Sequence, residues 1–438
     1  MGTRYGGMQI NKDQRTLQAQ IELALYQANY ISKTNFGHPS KYSWSNSART
    51  DKGVHSCAQV CSCKLDLSSD FNEDDEHEWD TVRDNINQQL PSDIRILDVV
   101  KVTRKFSAKS QRNKVRYQYM LPSFVLQHHD QMRALFESID LSYPKEKNRE
   151  TYQNPFTAEQ VQQLRPLVAK YRATPEDLDR LQTVLKSFQG THWFHNYTNG
   201  KTGTDPSARR YILDFDILKS KNKNKNKNKN EPFVDPNSGL EWIPLNITGQ
   251  SFLLHQIRKM ITMVIDVTRQ SADMDVLHNS MQRKTKMRLS IAPAQGLFLD
   301  MSYFETYNRK KEVLSKMAAP LNWHNDAKDH DSNSNDNSTS TSTSTSTSTA
   351  AMDRWRDFKE QVVVKHVMEE EAKECNFLKY IYWQEFVFEK NRYWPTENEN
   401  DDDDDNENDD DNDNENADDE YNETVDDNDD NDNEGNES

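Results

Sequence analysis

Only four of the 438 residues are cysteine, and the chain contains neither a cleavable signal peptide nor a long apolar run. Those absences argue against an oxidising compartment and a membrane span, and lead us to expect a soluble protein with no membrane segment. Hydrophobic residues are scarce at 34%, and the mean hydropathy of -1.04 is far on the polar side, so much of the chain cannot belong to a packed core. Positive charge is missing altogether from residues 396–438, which hold 24 Asp and Glu and no Lys or Arg. Without that tail the net charge of -17 becomes +7 for residues 1–395, so the acidic balance of the whole chain is no argument against a nucleic-acid partner.

Cys57, Cys61 and Cys63 share one parity along a strand-like run. Their spacing of four and two is not the Cys-x-x-Cys pairing of a zinc knuckle and no second cluster exists, so they read as small buried residues and no metal is expected. Three further biased segments mark departures from the core. They are an acidic surface insertion at Asp70 to Glu78, a basic Lys-Asn loop at 219–230, and a Ser-Thr repeat from Ser338 to Thr349 within a disordered linker over 325–351.

Hydrophobic periodicity between these segments alternates helix and strand. Helices are predicted at Asp13 to Gln27, Trp79 to Leu90, Ala158 to Tyr171, Asp177 to Phe188 and Phe252 to Arg269. Strands are predicted at Val54 to Leu65, Ile94 to Thr103, Lys114 to Leu121, Ala208 to Leu218 and Glu241 to Gly249, with an irregular stretch around 122–157. Past the linker, Asp353 to Phe388 reads as a helical pair. There Met352, Trp355, Phe358, Val362, His366 and Glu369 form a stripe that should pack on the main body. The pattern is α+β. It divides into a lobe over 1–121, a second over 122–310, a helical extension over 352–395 and a disordered acidic tail over 396–438.

One heptapeptide concentrates chemistry. In Arg49-Thr50-Asp51-Lys52-Gly53-Val54-His55 a carboxylate stands between an arginine and a glycine turn, just ahead of a strand, a rigid place to mount a reacting group. By itself the tetrapeptide is an ordinary Asp-x-Gly turn. Its surroundings change that reading. Ser47 to Ser56 resembles the signature of the TruA family of tRNA pseudouridine synthases, and further segments resemble that family in the same order. These are Gly2-Thr3-Arg4-Tyr5-Gly6-Gly7-Met8-Gln9, Ile86 to Arg95, Lys114 to Tyr119, Gly190 to Thr198 with Asp205-Pro206-Ser207-Ala208, Gly249 to Met260, and Ala292 to Leu297. The wording is most similar to the eukaryotic tRNA pseudouridine synthase 1 branch. Departures are Ser107 where His or Asn is usual, Thr262 in place of a glycine, and a chain that starts at the Gly-Thr-x-Tyr turn, where the family has a preceding strand.

The resemblance implies a pseudouridine synthase fold, with a mixed, mostly antiparallel sheet and a central RNA cleft, and an isomerase that needs no cofactor. It implies Asp51 as the catalytic group, acting on base or ribose, with Arg258 keeping it ionised. Arg49 would position the target nucleotide and Tyr117 would pack on the uracil, while Lys52, His195 and Lys259 are expected to contact RNA. The expected partner is tRNA, with small nuclear RNA or mRNA as further substrates, for a monomer in the nucleus or the mitochondrion. The acidic tail would then compete with RNA for the basic cleft. The rival expectations are an RNA-binding homologue impaired in catalysis and an acidic-tail interaction protein, the latter accounting for residues 396–438 alone.

Overall fold

The computed structural model describes residues 1–11, 14–141, 155–218, 232–315, 318–321 and 349–386. The chain divides into two compact units, Met1–Pro395 and Thr396–Ser438, the second lying wholly outside the described residues. The Lys-Asn loop and most of the Ser-Thr linker also lie outside them.

The helices begin where their caps dictate. Helix α1, Leu17–Gln27, starts four residues later than its hydrophobic pattern suggests, because the Thr16 hydroxyl accepts the Ala19 amide as an N-cap. Helix α2, Glu76–Gln89, starts earlier than Trp79. The Asp75 carboxylate caps it by accepting the His77 amide, and Glu76 and Glu78 fall in its first turn, where the helix dipole favours them. The acidic stretch read as an insertion is therefore in part a helix N-terminus. Its Phe71 packs edge-on against Trp79 with ring centroids 4.9 Å apart. After helix α3, His129–Glu137, which occupies part of the stretch expected to be irregular, come α4, Ala158–Val168, and α5, Pro175–Ser187. Capping boxes open both of the latter, Thr157 with Gln160 and Thr174 with Asp177.

A seven-stranded mixed sheet carries the body. The short strands β1, Ser45–Asn46, and β3, Cys61–Ser62, pair separately as a two-stranded ribbon. In the main sheet the order is β2, His55–Ser56; β9, Leu297–Tyr303; β4, Lys114–Pro122; β8, Glu241–Gly249; β6, Arg209–Ile217; and β5, Gly190–Trp193, with β7, Phe233–Val234, added to β8. Only β2 and β9 run parallel, so the sheet is mostly antiparallel as expected. Strand β4 lies at its centre, with Tyr117 opposite Ile247 on one side and Leu299 on the other.

Two strand expectations fail. Val54 to Leu65 is not one strand: the Cys57 amide still donates to Leu299, but by residue 60 the chain has turned to the ribbon, where the Ser47 amide donates to the Val60 carbonyl. Cys57 accordingly packs in the main core while Cys61 and Cys63 pack beside α1 and α2, so the three thiols do not share a face. Ile94 to Thr103 forms no ladder. Asn87 holds it instead, donating to the Ile96 carbonyl and accepting the Ile96 amide. Strand β9 was not anticipated at all, although its run Leu-Phe-Leu supplies the middle of the core.

Helix α6, Gln256–Thr268, is buried almost all round, as a helix through the middle of a core must be, and the short helix α7, Met274–Ser280, follows it. The C-terminal helices α8, Thr349–Asp357, α9, Lys365–Glu374, and α10, Asn376–Phe386, clasp the same core. A π-helical segment, Phe358–Val364, separates α8 from α9 and shifts the buried stripe by about one position. The residues sealed inside are therefore Val363, Val367 and Glu371, whereas Glu369 of the predicted stripe is exposed. Glu371 fixes the join by accepting the Phe377 amide at the start of α10 and the Gln295 side chain, each at 2.9 Å. Thr262, the departure from the expected glycine, donates to the Ser290 carbonyl and accepts the Tyr380 hydroxyl, tying α10 to α6.

Candidate active site

The turn that carries Asp51 is built by glycines. The Val54 amide donates to the Asp51 carbonyl, and Gly53 takes φ +81°, the left-handed backbone that the third position of such a turn requires. The turn is then pressed against the N-terminal Gly-Thr-Arg-Tyr segment. A Cβ on Gly2 would come within 2.1 Å of the Val54 carbonyl oxygen, so no larger residue fits without moving the signature loop. The Met8 amide donates to the Thr50 carbonyl, and the Gly7 and Met8 carbonyls accept the first amides of α1. One short polar segment thus joins the turn to a helix.

Across from this loop, residues 250–255 lead into α6. His255 adopts a left-handed backbone with φ +59°, which stops the helix short of Phe252 and turns the imidazole toward the signature loop. Its Nε2 lies 3.9 Å from Asp51 Oδ2. The histidine side chain is 5% exposed and the aspartate 22%, so the carboxylate opens to solvent while the ring does not. Tyr117 forms the wall beneath. It follows a bulge in the β4–β9 ladder between Arg116 and Tyr117, a device that re-aims a side chain, and its ring meets Phe252 edge to face at 5.5 Å. Burial pushes the Tyr117 hydroxyl well up, with Arg112 opposing and Asp51 reinforcing the shift, so the phenol stays protonated beside the carboxylate.

The other expected site residues are placed as follows. Arg258 is the least buried residue of the first turns of α6, and its Nε donates to the Ala292 carbonyl at 2.7 Å. Lys259 is buried, donating to the Thr198 carbonyl and the Asn199 side chain, and desolvation with the nearby Arg288 lowers its pKa to about 8. His195 is also buried, with Nε2 against the Thr285 carbonyl at 2.7 Å. Arg49 and Lys52 are exposed on the signature loop.

The family profile described as tRNA pseudouridine synthase matches residues 184–305, the stretch that holds His195, Arg258 and Lys259. A Mus musculus protein named pseudouridylate synthase 1 homolog is 33% identical over 325 residues, covering 74% of this chain and 63% of its own length. The Kluyveromyces lactis tRNA pseudouridine synthase 1 is 30% identical over 351 residues, covering 70% of this chain and 59% of its own length. A Saccharomyces cerevisiae tRNA pseudouridine(27/28) synthase is 29% identical over 337 residues, covering 70% of this chain and 83% of its own length. The chain carries a TruA-type pseudouridine synthase domain.

Within this pseudouridine synthase domain the structure adds residues to which the sequence assigned no role. His255 was visible in the His-Gln-Ile-Arg motif, yet nothing local shows that it faces Asp51. Arg112 and Phe252 likewise reach the site only through the fold. His55, His366 and Glu370 also converge, their nitrogen and oxygen atoms all within 4.8 Å of one another. The Gly2 amide donates to His55 Nδ1, which places the ring proton on Nε2. That nitrogen is buried without a hydrogen-bond partner, and in this tautomer it carries a proton where a metal ligand would need a lone pair.

Proposed function

We propose that this chain isomerises uridine to pseudouridine in tRNA, with Asp51 as the reacting carboxylate. The observation that carries the reading is the meeting of Asp51, on a glycine-built turn, with His255 at 3.9 Å and the buried Tyr117, in a chain whose residues 184–305 match the tRNA pseudouridine synthase family. The reaction breaks the bond from ribose C1′ to uracil N1 and makes one from C1′ to C5. N1 gains a proton and C5 loses one, so the atoms balance without an oxidant or reductant. An ionised Asp51 serves either as nucleophile or as base on the sugar, and its partial exposure leaves it accessible to a flipped nucleotide. Arg258 would supply the positive charge that keeps the carboxylate ionised once RNA excludes water, and Arg49 and Lys52, exposed on the same loop, would meet the phosphates. The protonated Tyr117 phenol supplies a ring to stack on the base and a donor near C5.

The test is incubation of the full chain with uridine-containing tRNA, followed by mapping of pseudouridine. Conversion at defined positions is the expected result. Intact tRNA binding without conversion would leave an RNA-binding protein and remove the isomerase.

A further inference from the structure

We propose that Arg112 is a phosphate-binding residue of this site, taking a phosphodiester of the RNA strand beside the target nucleotide. The proposal rests on the reading of the domain as RNA-modifying and assigns one named contact within it. Arg112 lies just before β4 and bridges two loops: its Nη1 donates to the Ser47 carbonyl at 2.6 Å and its Nη2 to the Gln250 carbonyl at 3.4 Å. Ser47 leads into the turn of Asp51, and Gln250 leads to Phe252 and His255. One guanidinium thus joins the backbones whose side chains meet at the reacting carboxylate.

Both of these acceptors are neutral. Among the described residues no carboxylate pairs with Arg112, and its Nε is buried with no hydrogen-bond partner. Burial accordingly lowers its pKa, offset by Tyr117 alone. Arg116 shows what a structural arginine of the same strand region looks like, with Nε 2.7 Å from the Asp300 carboxylate. A half-buried cation without a counter-ion bears a desolvation cost that two neutral carbonyls and the Tyr117 phenol offset only in part, and the group that would complete the compensation is an anion. The fork has room for one: the Nη1 bond to Ser47 is partly buried, but the Nη2 bond to Gln250 lies at the solvent edge. A phosphate matches the planar donors of that edge and carries the missing charge. Because Arg112 and Asp51 both act on the Tyr117 hydroxyl, a phosphate held there lies next to the site rather than on a remote surface.

The experiment measures tRNA affinity for the full chain across a series of salt concentrations, with Arg112→Gln and Arg112→Lys beside wild type and melting temperature recorded for each. Arg112→Gln keeps a donor for the Ser47 carbonyl but no charge. It should weaken binding roughly tenfold at physiological salt and reduce the slope of log affinity against log salt by about 1. Arg112→Lys restores the charge but cannot bridge both carbonyls, and should return the slope to that of wild type. If the two variants behave alike, or if Arg112→Gln leaves the slope unchanged, Arg112 is a backbone tie and the proposal fails. Loss of the isomerase reading would appear separately, as wild-type protein that binds tRNA with its full salt slope and forms no pseudouridine.

Discussion

Asp51 and Asp300 are both held within reach of basic side chains, and they could hardly be used more differently. Asp300 is fully buried in β9, with Arg116 Nε at 2.7 Å and Lys359 Nζ at 2.8 Å, and those two cations hold its pKa below the usual carboxylate range despite burial. It locks the C-terminal helices to the sheet, assisted by the Trp355 indole, which donates to its backbone carbonyl. Asp51 keeps about a fifth of its side chain open and faces a histidine at 3.9 Å. A carboxylate whose acceptor positions are filled and sealed contributes to structure, whereas one that remains open at a cleft can meet a substrate. Charge and neighbours alone do not tell the two apart, but exposure does.

That contrast can be broken in both directions. Asp51→Asn preserves size and hydrogen bonding but removes the charge, so pseudouridine formation should fall by about 10³-fold or more with tRNA affinity retained, as read by single-turnover conversion and a binding titration. Unchanged turnover would mean that the open carboxylate is not the reacting group. Asp300→Ala should do the reverse. It strands Arg116 and Lys359 near the core and should cost about 3 kcal/mol of stability in denaturant unfolding, while turnover per folded molecule well below the melting temperature stays close to wild type.

Smaller effects sharpen the same division. Glu371→Ala leaves the Phe377 amide and the Gln295 side chain without their acceptor, and a loss of about 1–3 kcal/mol is expected from thermal melts, again without a change in chemistry. Lys259 provides a pH signature. Its pKa of about 8 lies below the ordinary lysine value, so its charge is present at pH 7 and lost as pH rises through 8. If it contacts RNA, tRNA affinity should drop roughly threefold to tenfold between pH 7 and 9, and Lys259→Arg, which cannot lose its proton in that window, should flatten the profile. A wild-type profile already flat would place Lys259 outside the RNA contact.

Much of the site was legible because its parts are local. The turn at Asp51 follows from a glycine that supplies a left-handed backbone two residues on, and helices α4 and α5 announce themselves by Thr157 with Gln160 and Thr174 with Asp177. Expectation and structure part where a segment's partner matters more than its own pattern. Val54 to Leu65 alternates like a strand, yet it changes sheets halfway, and Ile94 to Thr103 alternates with no strand beside it. The stripe on the C-terminal helices was correct up to the π-helical segment and displaced after it, since a wider turn moves every later residue around the axis.

The sequence by itself determined the class of fold, the glycine-built turn under Asp51 and the absence of Lys and Arg from the acidic stretch at residues 396–438, because each depends on residue types a few positions apart. Only the tertiary structure decided that His255 faces Asp51 across 204 residues of chain, that Arg112 joins the two loops, and that Asp300 is sealed between Arg116 and Lys359. The physical reason is that hydrogen bonds and charges act over a few ångströms in space, while periodicity and capping act over a few residues in sequence.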